Sequence, residues 1–310
     1  PQKLPLWRKI LGGISGAVFG GLLLYTSLAL DLSTLYQGGN FMGQYGWLYI
    51  VMFLAFGIFA GCISRKASHR EQRLMSGKLS TRTKITMLLS LLLIPLTIWA
   101  GLKFGGGRKY MLISFAIIFE TMLPFFLIFE GRKPQARELV ILSVLSALAI
   151  GGRAVFFAMP GFKPVAAMVI LTGVAFGAEA GFMVGAMTMF CSNVLFGQGP
   201  WTPWQMFAFG VIGFFAGLMF GPGKLKKTKI SLCIYGCLAS VLIYGGIMNP
   251  ASVLMYQANP DWQMILTAYI TGVPADAVHA LATVMFLWFL SEPMLEKLDR
   301  VKVKYGLIEK

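Results

Sequence analysis

The residues best suited to chemistry lie in a short polar stretch, NVLFGQGPWTPWQMFAFG, which runs from Asn193 to Gly210 between two apolar segments. The stretch combines amide side chains with tryptophans, and prolines restrict its backbone. Amides offer hydrogen-bond donors and acceptors together, and indole rings stack on flat molecules. A restricted backbone lowers the entropic cost of binding. The pattern predicts a small-molecule site with five contact residues: Asn193, Gln198, Trp201, Trp204 and Gln205.

Two further segments, GGRAVFFAMPGFKP and MNPASVLMYQANPDWQ, have a similar mixture of aromatic, polar and proline residues. An aromatic belt at a membrane surface is the plain alternative, but it does not explain the accompanying amides. We therefore expect the three segments to converge over one pocket. They add these candidate residues: Arg153, Phe162, Lys163, Asn249 and Trp262. For Arg153, a snorkelling position at the membrane surface remains the alternative to ligand contact.

Asp276 and His279 form the other candidate pair. They are three residues apart inside an apolar run, so a helix would place them on one face. An ionisable group at membrane depth costs about 2.5–3.5 kcal/mol or more, and it usually faces the protein interior with a partner. Three roles are open for this pair: a structural Asp–His hydrogen bond, a ligand contact or a part in coupling.

The elements that must position these residues are membrane helices. The chain is 57% hydrophobic and only 13% charged, and its apolar runs approach 20 residues. This composition predicts an all-α polytopic membrane protein and excludes a soluble globular domain. About ten transmembrane helices are expected, at approximately 10–30, 45–63, 85–102, 110–129, 138–158, 164–179, 181–197, 204–221, 229–249 and 263–290.

The basic residues predict the orientation of these helices. The net charge is +15, but the charge lies in the connections between spans, which argues for a membrane topology signal and against nucleic acid binding. With the N-terminus inside, few of the 27 Lys and Arg residues fall outside; these are Lys103, Arg108, Lys109, Arg153 and Lys163. Both termini are therefore expected in the cytoplasm, and the predicted pocket on the outer face.

The charged segment FEGRKPQARE divides the chain. We expect four parts: a four-span region of unknown role at 1–129, a cytoplasmic linker at 130–137, a six-helix substrate-binding domain at 138–296, and a basic cytoplasmic tail at 297–310. In the first helix of the six-helix domain, small residues recur at Ser143, Ala147 and Gly151. Such spacing lets helices approach closely, either within the chain or with a partner membrane protein.

Sequence motifs limit the possible activities. The chain has no G-x-x-x-x-G-K-[ST], HExxH or GxSxG motif, so ATP hydrolysis is expected in separate subunits, and no catalytic residue is assigned. It contains only two histidines, so no metal site and no cofactor are predicted. A membrane enzyme that uses Asp276 and His279 as acid and base is the alternative, as is a structural or sensory membrane protein.

Residues 138 to 295 resemble the substrate-binding S component of an energy-coupling factor (ECF) vitamin transporter. The resemblance rests on Gly152–Arg153, on the FKP segment at Phe162–Pro164, and on Asn193–Gln205. It implies a six-helix bundle in a prokaryotic plasma membrane that captures a vitamin at its outer face. It also implies partners: a transmembrane T component, against which the S component topples, and two cytoplasmic ATPases.

The resemblance implies the substrate and the docking face as well. It favours cobalamin or another corrinoid, while riboflavin, thiamine precursors, folate, pantothenate and a queuosine precursor remain open. The expected depth of His279 in the last span argues against its serving as a ligand to a corrinoid cobalt. Ser143, Ala147 and Gly151 would dock the T component, although serine and glycine here replace alanines that are usual in the family. The four N-terminal spans are a further departure from the family pattern.

Overall fold

The computed structural model describes residues 5–28, 136–221, 224–257 and 260–305, together with isolated positions between 47 and 120. These residues form helices and connecting turns. The helices are α1 (Leu6–Leu28), α2 (Ala136–Val155), α3 (Val165–Phe176), α4 (Ala178–Phe196), α5 (Trp201–Phe220), α6 (Lys229–Leu238), a π-helix (Ala239–Gly245), α7 (Gly246–Tyr256) and α8 (Trp262–Lys304).

Five of the described helical segments are long and apolar enough to cross a membrane: α2, α4, α5, α8 and the continuous 28-residue stretch of α6, the π-helix and α7. The shorter α3 is apolar as well. The all-α membrane class is therefore confirmed. The predicted total of ten is not, because the spans expected at 45–63, 85–102 and 110–129 lie outside the continuously described ranges.

Helix α8 is much longer than the span predicted at 263–290. Its 43 residues correspond to about 64 Å at the usual helical rise, roughly twice the thickness of a hydrocarbon core. It continues without interruption through the first part of the expected basic tail and ends at Lys304. Helix α8 must therefore project beyond the membrane core at one end or both.

Side-chain contacts define two ends of the bundle. At the Arg153 end, Arg153 of α2 donates a hydrogen bond to Asn193 of α4, and Asn193 donates one to Gln205 of α5. At the opposite, Lys302 end, the Lys302 ammonium lies 5.2 Å from the centroid of the Phe176 ring. The helices thus run in alternating directions, as short connections between neighbours require.

Helices α3, α4 and α5 pack closely around the centre of the bundle. Helix α3 is apolar on all sides, and every residue from Val165 to Ala175 is buried, as expected for a helix enclosed by others. Gly213 of α5 lies directly against the Gly181 carbonyl of α4, and a Cβ at Gly213 would also lie 2.7 Å from Val169 Cγ1. Glycine is what allows this approach, in agreement with small-residue packing between membrane helices.

The π-helix interrupts the predicted 229–249 span. Its Ser240 hydroxyl donates to the Gly236 carbonyl at 2.8 Å and lies 3.0 Å from the Thr283 hydroxyl of α8. One-turn π segments are frequent at functional sites because they rotate the side chains that follow them. The last turn of this segment carries Tyr244.

Candidate binding site

Arg153, Ser192, Asn193, Thr202 and Gln205 form a polar network at the Arg153 end. The guanidinium of Arg153 donates to the Ser192 hydroxyl and to Asn193 Oδ1, the latter at 2.6 Å. Asn193 Nδ2 is 2.9 Å from Gln205 Oε1 and 3.0 Å from Thr202 Oγ1. Asn193 is fully buried, whereas Arg153 and Gln205 each keep part of their surface accessible. The network therefore joins three helices and presents polar side chains at its edge.

An aromatic group continues from this network toward α8. The Tyr244 side chain lies against the Gln205 amide, and its ring centroid is 5.2 Å from that of Phe209. The same tyrosine ring lies 4.6 Å from the imidazole of His279, with 40° between the ring planes. Tyr244 and His279 are both partly exposed. Flat faces and polar tips thus stand side by side, an arrangement that suits a flat, polar molecule.

Residues 156–164, the α2–α3 loop, lie between the network and α8. The ammonium of Lys163 donates to the carbonyls of Phe156, Phe157 and Met159, the last at 2.6 Å. Burial, and then the nearby Arg153 charge, lower the pKa of Lys163 from its usual 10.5 to about 7. Lys163 therefore cross-links the loop through its three carbonyl hydrogen bonds and lies near the guanidinium of Arg153.

The loop also lies beside His279. Gly161 has a φ of 69°, and its Cα lies so close to α8 that a Cβ there would be 3.7 Å from His279 Cδ2. Arg153 and Lys163 are both near enough to His279 to interact with it electrostatically. His279 therefore lies beside the α2–α3 loop, and its depth in the membrane stays a prediction.

Asp276 and His279 have different partners. Asn249 Nδ2 donates to Asp276 Oδ2 at 2.8 Å, and the carboxylate lies directly against Gly245. The partner of His279 is the Tyr244 ring. Of the three roles left open for the pair, the Asp–His hydrogen bond is not the one that the structure has.

The other predicted contact residues have varied positions. Phe162 is fully buried between the rings of Phe156 and Phe286. Gln198 is exposed and donates to the Phe190 carbonyl at 3.4 Å. Trp201 folds over Gly199, and Trp204 is half-buried on the first turn of α5. Trp262, the first residue of α8, is 75% exposed.

Three members of the site were missed by sequence reasoning: Ser192, Thr202 and Tyr244. The first two flank predicted residues in the Asn193–Gln205 stretch, so their neighbourhood was a usable signal. Tyr244 had none, since it lies within an apolar run and meets His279 only across two helices.

Metal binding finds no support in the described ranges, where no group of three or more His, Cys, Asp or Glu residues could hold an ion. The small-residue stripe on α2 is exposed at each of its three positions. A Cβ at Gly151 would meet no atom within 4 Å.

A helical bundle with five described helices able to span a membrane, and with a polar and aromatic cluster at one end, is a polytopic membrane protein. Comparison with known proteins defines it further. The family of ECF-type riboflavin transporter S components matches residues 133–292, and the chain belongs to this family. A UPF0397 protein of Vibrio atlanticus (strain LGP32) is 27% identical over 125 residues, which cover 38% of this chain and 68% of that protein. No solved structure gives a significant match.

Membership in this family establishes the general role. S components are the substrate-capture parts of vitamin transporters, and the family is a family of transporters and not of enzymes. The resemblance drawn from Arg153, Phe162–Pro164 and Asn193–Gln205 is thereby confirmed at the level of the family.

Proposed function

We propose that the polar network and the Tyr244–His279 group together bind one flat, heterocyclic vitamin. The observation that carries this proposal is the partly exposed set of Arg153, Gln205, Tyr244 and His279 around the buried Asn193. Burial of an amide costs free energy unless its polar atoms are hydrogen-bonded, and Asn193 forms such bonds with three polar side chains. Such a network holds its members in fixed positions, which reduces the entropy lost on binding.

Riboflavin and a corrinoid are the two leading candidates for the vitamin. The family's description names riboflavin, whose flat tricyclic ring suits aromatic side chains that stack. The resemblance of individual segments favours cobalamin. Because the family model covers residues 133–292 and its description names the vitamin, we place riboflavin first.

Delivery of the vitamin would use partner subunits. We propose that the Arg153 end faces outward and that the exposed face of Ser143, Ala147 and Gly151 docks a T component, which works with two ATPases. The basic residues at the Lys302 end support this orientation, since Lys and Arg concentrate on the cytoplasmic side. Lys229, for example, pairs there with Glu292 at 3.3 Å.

The deciding experiment is purification of the full chain in detergent from a vitamin-rich culture. Mass spectrometry and absorbance of the copurifying material would be followed by titration of the emptied protein with riboflavin and with cobalamin. We expect one of the two at a stoichiometry of about one per chain. A preparation that is empty and binds no member of a vitamin panel would contradict the proposal.

Substitution of one aromatic residue then locates the site. Trp204→Ala removes a stacking surface next to Gln205 and should weaken binding several-fold to about tenfold, the usual range for one aromatic contact. Trp288→Ala is the matched control, because that ring lies near Lys229 at the Lys302 end. Equal affinities for the two variants would remove Trp204 from the site.

A further inference from the structure

The N-terminal helix contacts the six-helix domain at one well-defined point. Ser15, Phe19 and Thr26 are buried on one side of α1, whereas Ile14 and Val18 are exposed. Phe19 is only 8% exposed, and its ring centroid lies 5.6 Å from that of Phe156. Phe156 is the first residue of the α2–α3 loop. Helix α1 therefore reaches the loop that borders the candidate binding site.

A chain of aromatic rings extends this contact into the bundle. Phe156 meets Phe162 at 5.6 Å and Phe286 of α8 at 5.1 Å, both edge to face. Phe162 and Phe286 are themselves 5.2 Å apart. Edge-to-face rings at these separations attract one another beyond the effect of burial. The four rings of Phe19, Phe156, Phe162 and Phe286, the aromatic chain, thus connect α1 with α8 through the loop.

The loop that receives Phe19 also carries groups of the site. The carbonyl of Phe156 accepts from Lys163, and Gly161 lies against Val278 of α8, the residue before His279. Phe157 stacks on Phe196 at 5.4 Å, and the Arg153 guanidinium lies 5.5 Å from the centroid of the same Phe196 ring. A displacement of Phe156 would therefore move Lys163, Gly161 and Phe157, each of which contacts a different part of the site.

We propose that α1 positions the α2–α3 loop through the Phe19–Phe156 contact, so that the N-terminal region governs how long the captured vitamin is retained. Phe19 acts here as a positioning residue and touches no ligand. The inference rests on the proposed function, because it assigns to residues before the S-component segment a part in the retention of the same ligand.

Two measurements on the full-length protein test this inference. The first is hydrogen exchange of the peptide that spans residues 156–163, which requires no ligand. The second is the dissociation rate of bound riboflavin, or of cobalamin if that is what the protein binds. Phe19→Ala should raise both, with dissociation faster by about threefold to tenfold, the factor that one aromatic pair supports. Val18→Ala, on the exposed side of the same helix, should change neither.

Phe156→Leu tests the other ring of the same contact. It removes the ring and keeps an apolar side chain of similar volume. Its effects on exchange and release should combine with those of Phe19→Ala in a non-additive way, as expected for residues in contact. Peptides of α4 serve as the internal reference and should exchange as in the parent protein.

The outcomes separate the two proposals. If the parent protein binds no vitamin, the proposed function fails, and exchange of the loop still tests the contact. If the vitamin binds but Phe19→Ala leaves exchange and release unchanged, the positioning role of α1 is wrong. If both variants accelerate exchange in α4 as well, the contact stabilises the whole fold, and the local role is likewise overturned.

Discussion

At the scale of the residue, the site depends on one buried amide. The short side chain of Asn193 accepts a hydrogen bond from Arg153 through Oδ1 and donates to Thr202 and Gln205 through Nδ2. Only an amide combines these two functions in so short a side chain. An aspartate would lack the donors, and a serine could not span the distances. The polar stretch that begins at Asn193 thus supplies the hydrogen bonds that join α2, α4 and α5.

Replacement of this amide should destabilise the protein. Asn193→Ala removes three hydrogen bonds from a fully buried position, so we expect a loss of about 1–3 kcal/mol in the free energy of unfolding. Thermal unfolding in detergent would measure it. Gln198→Ala is the comparison, since that exposed side chain makes one long bond of 3.4 Å and should change stability by less than about 0.5 kcal/mol. Similar melting temperatures for the two variants would contradict the importance given to the network.

Lys163 predicts a dependence of stability on pH. Its pKa is about 7 in the folded protein and near 10.5 when unfolded, so between these values the unfolded chain binds the extra proton. The free energy of unfolding should therefore rise as pH increases from about 7, and the penalty should be fully present below that pH. Lys163→Met should flatten this dependence. Melting temperatures of both proteins from about pH 6.5 to about pH 9 would check it, and parallel curves would speak against the shifted pKa.

At the scale of the element, glycine positions distinguish close packing from open surface. Helices α4 and α5 meet through Gly213 and Gly181 without room for a side chain. Gly151 of α2, by contrast, faces open space. The two glycines look alike in sequence, since both occur among small residues in apolar helices.

A matched pair of alanine substitutions should separate these two environments. Gly213→Ala forces a methyl group into the Gly181 backbone and should cost about 1–3 kcal/mol, as overpacking usually does. Gly151→Ala should be neutral or stabilising by up to about 1 kcal/mol, because alanine favours a helix over glycine. Melting temperatures in detergent provide the comparison. A stable Gly213→Ala variant would show that the α4–α5 packing can relax.

At the scale of the whole molecule, capture and delivery should depend on different surfaces. The proposed ligand site lies among α2, α4, α5, the π-helix and α8, whereas the exposed stripe of Ser143, Ala147 and Gly151 lies on the outside of α2. A large residue on the stripe should therefore affect assembly and leave the site intact.

Ala147→Trp should abolish copurification of a T component and leave vitamin affinity within about twofold, because it removes the close approach that small residues permit. Ile234→Trp, at an exposed apolar position on α6, is the control for a bulky surface substitution and should assemble normally. Pull-down from cells that express the transporter subunits, with vitamin titration alongside, measures both properties. Normal assembly of Ala147→Trp would shift the docking face elsewhere.

The class of the protein and some members of the candidate site could be predicted from the sequence. Continuous apolar runs with charged connections can satisfy their backbone groups in a membrane only as helices, so the fold class followed from composition. The polar and aromatic segments were expected to converge over one pocket, and the structure joins two of them through the hydrogen bond from Arg153 to Asn193. That these residues bind a ligand stays a prediction.

Only the tertiary structure decided which side chains meet across the bundle. The length of α8 has no local signal in the sequence, since the helix continues far beyond one membrane thickness. Tyr244 of the π-helix meets His279, and Asp276 meets Asn249, in each case across two helices. Contacts of this kind depend on register and rotation between helices, and these are fixed by the packing of glycines and rings from distant parts of the chain.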